Sequence, residues 1–127
     1  MQLGYTIIYV ANVVESLSFF EVAFGFSRRF VHESGDYGEL ATGETTLAFA
    51  SHELGRQNFP DGYVKASESS KPLGFEVALM TPTVAEAHTK ALLAGASELK
   101  APEAKPWGQV VSTSVAPTVR WLKFVLR

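Results

Sequence analysis

Three histidines, a carboxylate set in an apolar strand and two tyrosines of one early strand are the residues of this chain with chemistry to offer. His32, His52 and His88 show no H-E-x-x-H or H-x-H spacing, so they form no metal motif in sequence. His88 falls in a helical stretch and is expected at the surface. His32 is expected as a packed or hydrogen-bonded strand residue, and His52 at the edge of a cleft. Glu76 lies between Phe75 and Val77. A buried carboxylate without a partner is expensive, so Glu76 either faces a wet cleft, as ligand contact or general base, or forms a structural ion pair. Tyr5 and Tyr9 read as half-buried sheet aromatics or as a binding platform. Trp107 sits in a Pro/Gly loop, where it packs under a sheet or lines a cleft mouth. The chain has no cysteine, which excludes disulfides, thiolate nucleophiles and iron–sulfur clusters. No phosphate-binding glycine loop, G-x-S-x-G elbow or Ser/His/Asp set is readable, and no catalytic residue is assigned.

Two stretches that echo each other must position these residues. Tyr5-Thr-Ile-Ile-Tyr-Val-Ala runs into Asn12-Val-Val-Glu15 and an apolar helical pattern that stops at Gly25. Glu76-Val-Ala-Leu-Met-Thr-Pro runs into Thr83-Val-Ala-Glu86 and a second pattern that stops at Gly95. Asn12/Glu15 and Thr83/Glu86 both have capping-box spacing. Gly25 and Gly95 fall where a left-handed helix stop is needed. Val13, Leu17, Phe20 and Phe24 give the first helix an apolar face. The remaining runs predict strands over 3–10, 26–33, 37–41, 45–51, 75–80, 97–100, 109–115 and 119–126, with a Pro-containing loop over 101–106. Residues 53–73 read as a polar linker. A doubled unit in so short a chain predicts one pseudo-symmetric domain, with its site between the halves.

Composition narrows the partners. At 127 residues, 46% hydrophobic and 19% charged, the chain is an ordinary globular domain. No apolar run approaches the roughly 20 residues of a membrane span, and the apolar start lacks the basic region of a signal peptide. A cytoplasmic protein with no membrane partner is expected. Net charge is −2 and Arg28-Arg29 is the sole adjacent basic pair, so nucleic acid is not an expected partner.

With "YVANVVESLSFFEVAFGF" as first strand–helix unit and "PWGQVVS" before the last hairpin, the chain resembles the vicinal-oxygen-chelate superfamily along nearly its whole length. That superfamily includes glyoxalase I, the bleomycin- and fosfomycin-resistance proteins and the extradiol dioxygenases. The resemblance implies an α+β fold of two βαβββ modules forming a pseudo-symmetric open barrel. Module one covers about 1–53, the linker about 54–73 and module two about 74–127. It also implies four strand positions for a divalent metal, which fall here on Tyr5, Ala48, Glu76 and near Lys123. Ala48 has no donor atom and Lys123 brings a positive charge, so no metal and no other cofactor are expected. Strand alternation then assigns the cleft lining: Tyr5, Ile7 and Tyr9, then Thr46, Ala48, Ala50 and His52, then Glu76, Ala78 and Met80. Trp107 and Lys123 complete the expected cleft. Such a surface suits a small organic ligand, cationic or hydrogen-bond-donating.

The tail departs from the resemblance. Members end in a D-P-D-G-type turn and a strand carrying a ligand Glu, whereas residues 113–127 read TSVAPTVRWLKFVLR. One nucleotide sequence can encode this tail in one frame and YVRGPDGTLVEIRAP in another, with the Glu falling over Lys123. We therefore read a single-base deletion after Ser112, set against ordinary divergence. The leading functional expectation is a metal-free small-molecule binding protein similar to the bleomycin-resistance branch, acting as a homodimer. The rival is a metal-dependent glyoxalase-like lyase or isomerase, dioxygenase or thiol transferase.

Overall fold

The computed structural model describes residues 1–117 and 123–127, Lys123 by its backbone alone. The elements are β1 (Tyr5–Val10), α1 (Val13–Phe24), β2 (Ser27–Val31), β3 (Tyr37–Ala41), β4 (Thr46–Ser51), α2 (His52–Asn58), a 3₁₀ turn (Ala66–Glu68), β5 (Val77–Leu79), α3 (Val84–Leu93), β6 (Ser97–Ala104), β7 (Val110–Val115) and β8 (Lys123–Leu126). They form two four-stranded sheets, ordered β1-β4-β3-β2 and β5-β8-β7-β6. In each, the first strand runs parallel to the last and the other pairs are antiparallel. This is the expected doubled βαβββ pattern in an α+β fold, as two sheets rather than a closed barrel.

Local chemistry explains the first unit. The Asn12 side chain accepts the Glu15 amide at 3.0 Å, filling one of the orphan donors of the first turn of α1. Gly25 ends the helix at φ +73°, a left-handed conformation that costs glycine little. Gly38 lets α1 pack close on β3: a Cβ there would lie 2.6 Å from Leu17 Cδ1 and 3.3 Å from the Phe30 carbonyl oxygen, so the Leu17 side chain would have to move. The second unit departs from the expected cap. The Thr83 hydroxyl lies 3.3 Å from that of Thr81, and α3 starts without a side-chain cap.

One core serves both modules. Leu17, Phe19 and Phe20 of α1 meet Leu40 and Phe49 of the first sheet, Ala91 of α3 and Phe124 of β8. The Phe124 ring lies 5.1 Å from Phe24 and 6.1 Å from Phe19. Module two thus inserts an aromatic side chain among the rings of module one.

Four expectations need correction. The stretch read as a plain polar linker carries α2, capped by the Ser51 hydroxyl on the Leu54 amide at 3.2 Å, and the 3₁₀ turn. Strand β6 runs on to Ala104, through the expected loop; the ladder shifts register between Lys100 and Glu103, which accommodates Pro102 and its missing N–H. Strand β5 keeps only Val77–Leu79 of the expected 75–80. His88 is buried rather than at the surface. Its Nδ1 lies 3.0 Å from Ser112 Oγ and its Nε2 2.6 Å from Glu98 Oε2, so α3 is pinned to the second sheet by polar bonds. The expected strand over 119–122 lies outside the described residues.

Candidate functional site

The two faces of the first sheet divide as alternation requires. Ile8 and Val10 of β1 point into the core, which leaves Tyr5, Ile7 and Tyr9 on the opposite, helix-free face, which carries neither α1 nor α3 and is met by α2 at its Tyr9 end alone. Strand β4 sets Thr46 beside Tyr5, Ala48 beside Ile7 and Ala50 beside Tyr9. These three small residues are buried beneath larger neighbours and form a floor, while Tyr5 and Ile7 stay exposed. Strand β3 adds Glu39 opposite Ala48 and Tyr37 opposite Ala50.

Three of the polar residues on this face were missed by the sequence reading: Arg29, Tyr37 and Glu39. The Tyr37 hydroxyl donates to Glu39 Oε2 at 2.8 Å. Arg29 Nη1 lies 3.6 Å from Glu39 Oε1 and donates to Thr46 Oγ1 at 3.0 Å. Burial, and then the Glu39 carboxylate that accepts its proton, push the Tyr37 phenol above its usual value. Arg29 is here because β2 carries an irregularity between Arg28 and Phe30. Arg28 turns to the helix side, where it meets Glu21 and Ser18 of α1. Phe30 pairs with Glu39, and the extra residue, Arg29, reaches across β3 to Thr46. Its two signals, an adjacent basic pair and an isolated Glu in β3, were visible in the sequence; the register joining them was not.

One end of the face is closed by aromatic rings. Tyr9 packs edge-on against Phe59 at 5.7 Å and against Tyr63 at 5.3 Å, and Asn58 Nδ2 donates to its hydroxyl at 3.0 Å. His52 opens α2 rather than extending β4, and its Nδ1 lies 2.6 Å from the Tyr63 hydroxyl. Burial, and then the Lys65 cation, push the His52 imidazole below its usual value. His52 therefore reaches the Tyr9 end through Tyr63, at the edge of the face.

The expected residues of module two are less gathered. Glu76 and Ala78 are exposed, and with Thr6, Thr45 and Phe75 they line a groove of 410 Å³ at the seam of the two modules. Met80 instead lines a hollow of 340 Å³ with Phe24, Glu86 and Lys90, beside the helices. Trp107 stands on the β6–β7 turn with 69% of its surface exposed, its indole N–H donating to Gln109 Oε1 at 3.1 Å. Lys123 opens β8 opposite Val115, and its side chain lies outside the described residues.

Of the four positions that the sequence resemblance assigns to a metal, Tyr5 and Glu76 carry oxygen donors. Ala48 has no donor and is buried, and Lys123 is a cation. Among the described residues no three His, Cys, Asp or Glu side chains converge as metal ligands. On the helix side, Ser112, His88 and Glu98 stand in nucleophile–base–acid order, but Ser112 is only 1% exposed and no substrate can reach it.

The sequence matches no protein-family model and no curated protein. Solved structures do match. A glyoxalase/bleomycin resistance protein/dioxygenase family enzyme from Burkholderia phytofirmans superposes with a TM-score of 0.79 at 22% identity, covering 99% of this chain and 97% of its own. A glyoxalase-related enzyme from Fulvimarina pelagi gives 0.78 at 16% identity, covering 100% of this chain and 88% of its own. A superfamily member from Sphaerobacter thermophilus gives 0.69 at 20% identity, with 99% and 95% covered. With both sheets, their strand order and these neighbours in hand, the chain has the vicinal-oxygen-chelate fold of the glyoxalase, bleomycin-resistance and dioxygenase proteins.

Proposed function

We propose that this chain is a small-molecule binding protein, comparable to the bleomycin-resistance proteins of its fold, which holds an organic ligand on the helix-free face of the first sheet. The observation that carries the reading is the row Tyr5, Ile7, Tyr9, presented beside a few placed polar groups. An apolar surface with a small number of fixed polar atoms is what organic-ligand sites are made of. The mismatched metal positions favour binding over a metal-assisted reaction, and no metal step is derived. Glu76, in the seam groove beside Thr6 and Thr45, is a separate candidate contact in this reading.

The test is a thermal-shift screen of organic compounds against the wild type and Ile7→Asp, which sets a charge in the middle of the row. A compound at about 100 times its Kd raises stability by roughly 2.7 kcal/mol. A compound that stabilises the wild type and not Ile7→Asp supports the reading; hits that stabilise both equally overturn it. We also propose that two copies pair, because Met80, Trp107 and Val110 leave large apolar side chains in solvent on module two. A monomeric mass by analytical ultracentrifugation at micromolar concentration overturns that pairing.

A further inference from the structure

We propose that Arg29 is an anion-recognition residue, and that the ligand of the helix-free face is an apolar or aromatic molecule carrying an oxyanion of the carboxylate, sulfonate or phosphate class. This rests on the ligand-binding reading above and gives that ligand a negative charge, in place of the cationic or hydrogen-bond-donating ligand expected from the sequence, because the sequence reading did not place Arg29 on this face.

The geometry is that of a prepared cation. Arg29 Nη1 is fixed from two sides, by the Thr46 hydroxyl at 3.0 Å and by Glu39 Oε1 at 3.6 Å. Its Nε and Nη2 groups take no partner among the described residues, and the side chain is 43% exposed. That Nε–Nη2 edge is the fork that receives two oxygens of a planar or tetrahedral oxyanion. Holding the guanidinium in advance lowers the ordering cost that a free arginine pays on binding.

Glu39 does not compete for the role of ligand contact. Its side chain is 13% exposed, with one oxygen taken by Tyr37 and the other facing Arg29. Tyr37 acts on the ligand only through Glu39, as a positioning residue. Thr46 sits beside Tyr5 in the ladder, so the arginine head group is delivered to the start of the Tyr5–Ile7 row. An oxyanion on the fork places the apolar body of the ligand over that row.

The experiment uses two fluorescent probes on the full chain: 8-anilinonaphthalene-1-sulfonate and N-phenyl-1-naphthylamine, the same ring pair without the sulfonate. The wild type is expected to bind the sulfonate at least about tenfold more tightly. Arg29→Gln removes that difference and leaves the naphthylamine affinity unchanged. Thr46→Val, which frees Nη1, gives a partial loss and serves if Arg29→Gln melts below the assay temperature. Sulfonate affinity that survives both changes, while the naphthylamine responds to Ile7→Asp, overturns the assignment to Arg29 alone. Naphthylamine binding indifferent to Ile7→Asp overturns the ligand face itself.

Discussion

Phe124→Ala separates a shared core from two cores that merely touch. Phe124 is fully buried and belongs to the last strand of module two, yet its ring neighbours are Phe19, Phe20 and Phe24 of α1. Truncating a buried phenylalanine costs about 3–5 kcal/mol, the lost transfer energy plus the cavity left behind. Three edge-on or tilted ring contacts disappear as well, at roughly 0.5–1.5 kcal/mol for an aromatic pair, so the upper part of that range is expected. For a domain of this size each kcal/mol moves Tm by about 4 °C, giving a fall of roughly 16–20 °C. The matched control is Phe30→Ala on the helix-free face, where Phe30 is 46% exposed; it should cost less than about 1 kcal/mol. The assay is urea unfolding followed by far-UV circular dichroism, with near-UV signal as second probe. A loss at Phe124 below about 1 kcal/mol, or two separate transitions in the wild type, would refute the single shared core.

Asn12→Ala should cost about 1 kcal/mol in the same assay, because the Glu15 amide loses its acceptor; an unchanged midpoint removes the cap from the account. Gly55→Ala should destabilise by about 1–3 kcal/mol even though alanine favours helix, since its Cβ would lie 2.7 Å from Tyr63 Cε1 and force that ring off His52; a stabilised variant refutes this. His52 has a folded-state pKa below the ordinary 6.5, so the unfolded chain takes up its proton first and stability is lost as pH falls below about that value. His52→Gln should therefore show a shallower loss than the wild type between pH 7.5 and 5.5 in urea titrations, and identical slopes refute the role of His52.

Much of module one was legible because its signals are local. Alternation in β1, the Asn12 cap, the apolar stripe of α1 and the Gly25 stop all act within a few residues. What the sequence hid was set by tertiary contact. Helix α2 is seven residues long, contains Gly55, and is held by Tyr63 rather than by its own periodicity. His88 was misplaced because histidine was counted as polar, although Val84, His88 and Ala91 at i, i+4 and i+7 share the buried face of α3. Its partners Ser112 and Glu98 come from other strands, which no spacing reveals. The candidate site divides the same way. The row Tyr5, Ile7, Tyr9 followed from period two, whereas the Arg29–Glu39–Thr46 contacts depend on one register shift.

That register shift also says how such a site is gained or lost in inheritance. Arg28 already faces Leu40 and Phe30 already faces Glu39, so Arg29 is the surplus residue of an otherwise regular ladder. Removing its codon closes the ladder without moving a neighbour to the wrong face, since the pairs on either side keep their partners. A point substitution leaves a bulge with nothing to present, while an in-frame deletion leaves a smooth, neutral sheet. The anion site proposed for this chain therefore depends on the length of its second strand, and deleting Arg29 is expected to abolish the sulfonate preference while the sheet stays folded.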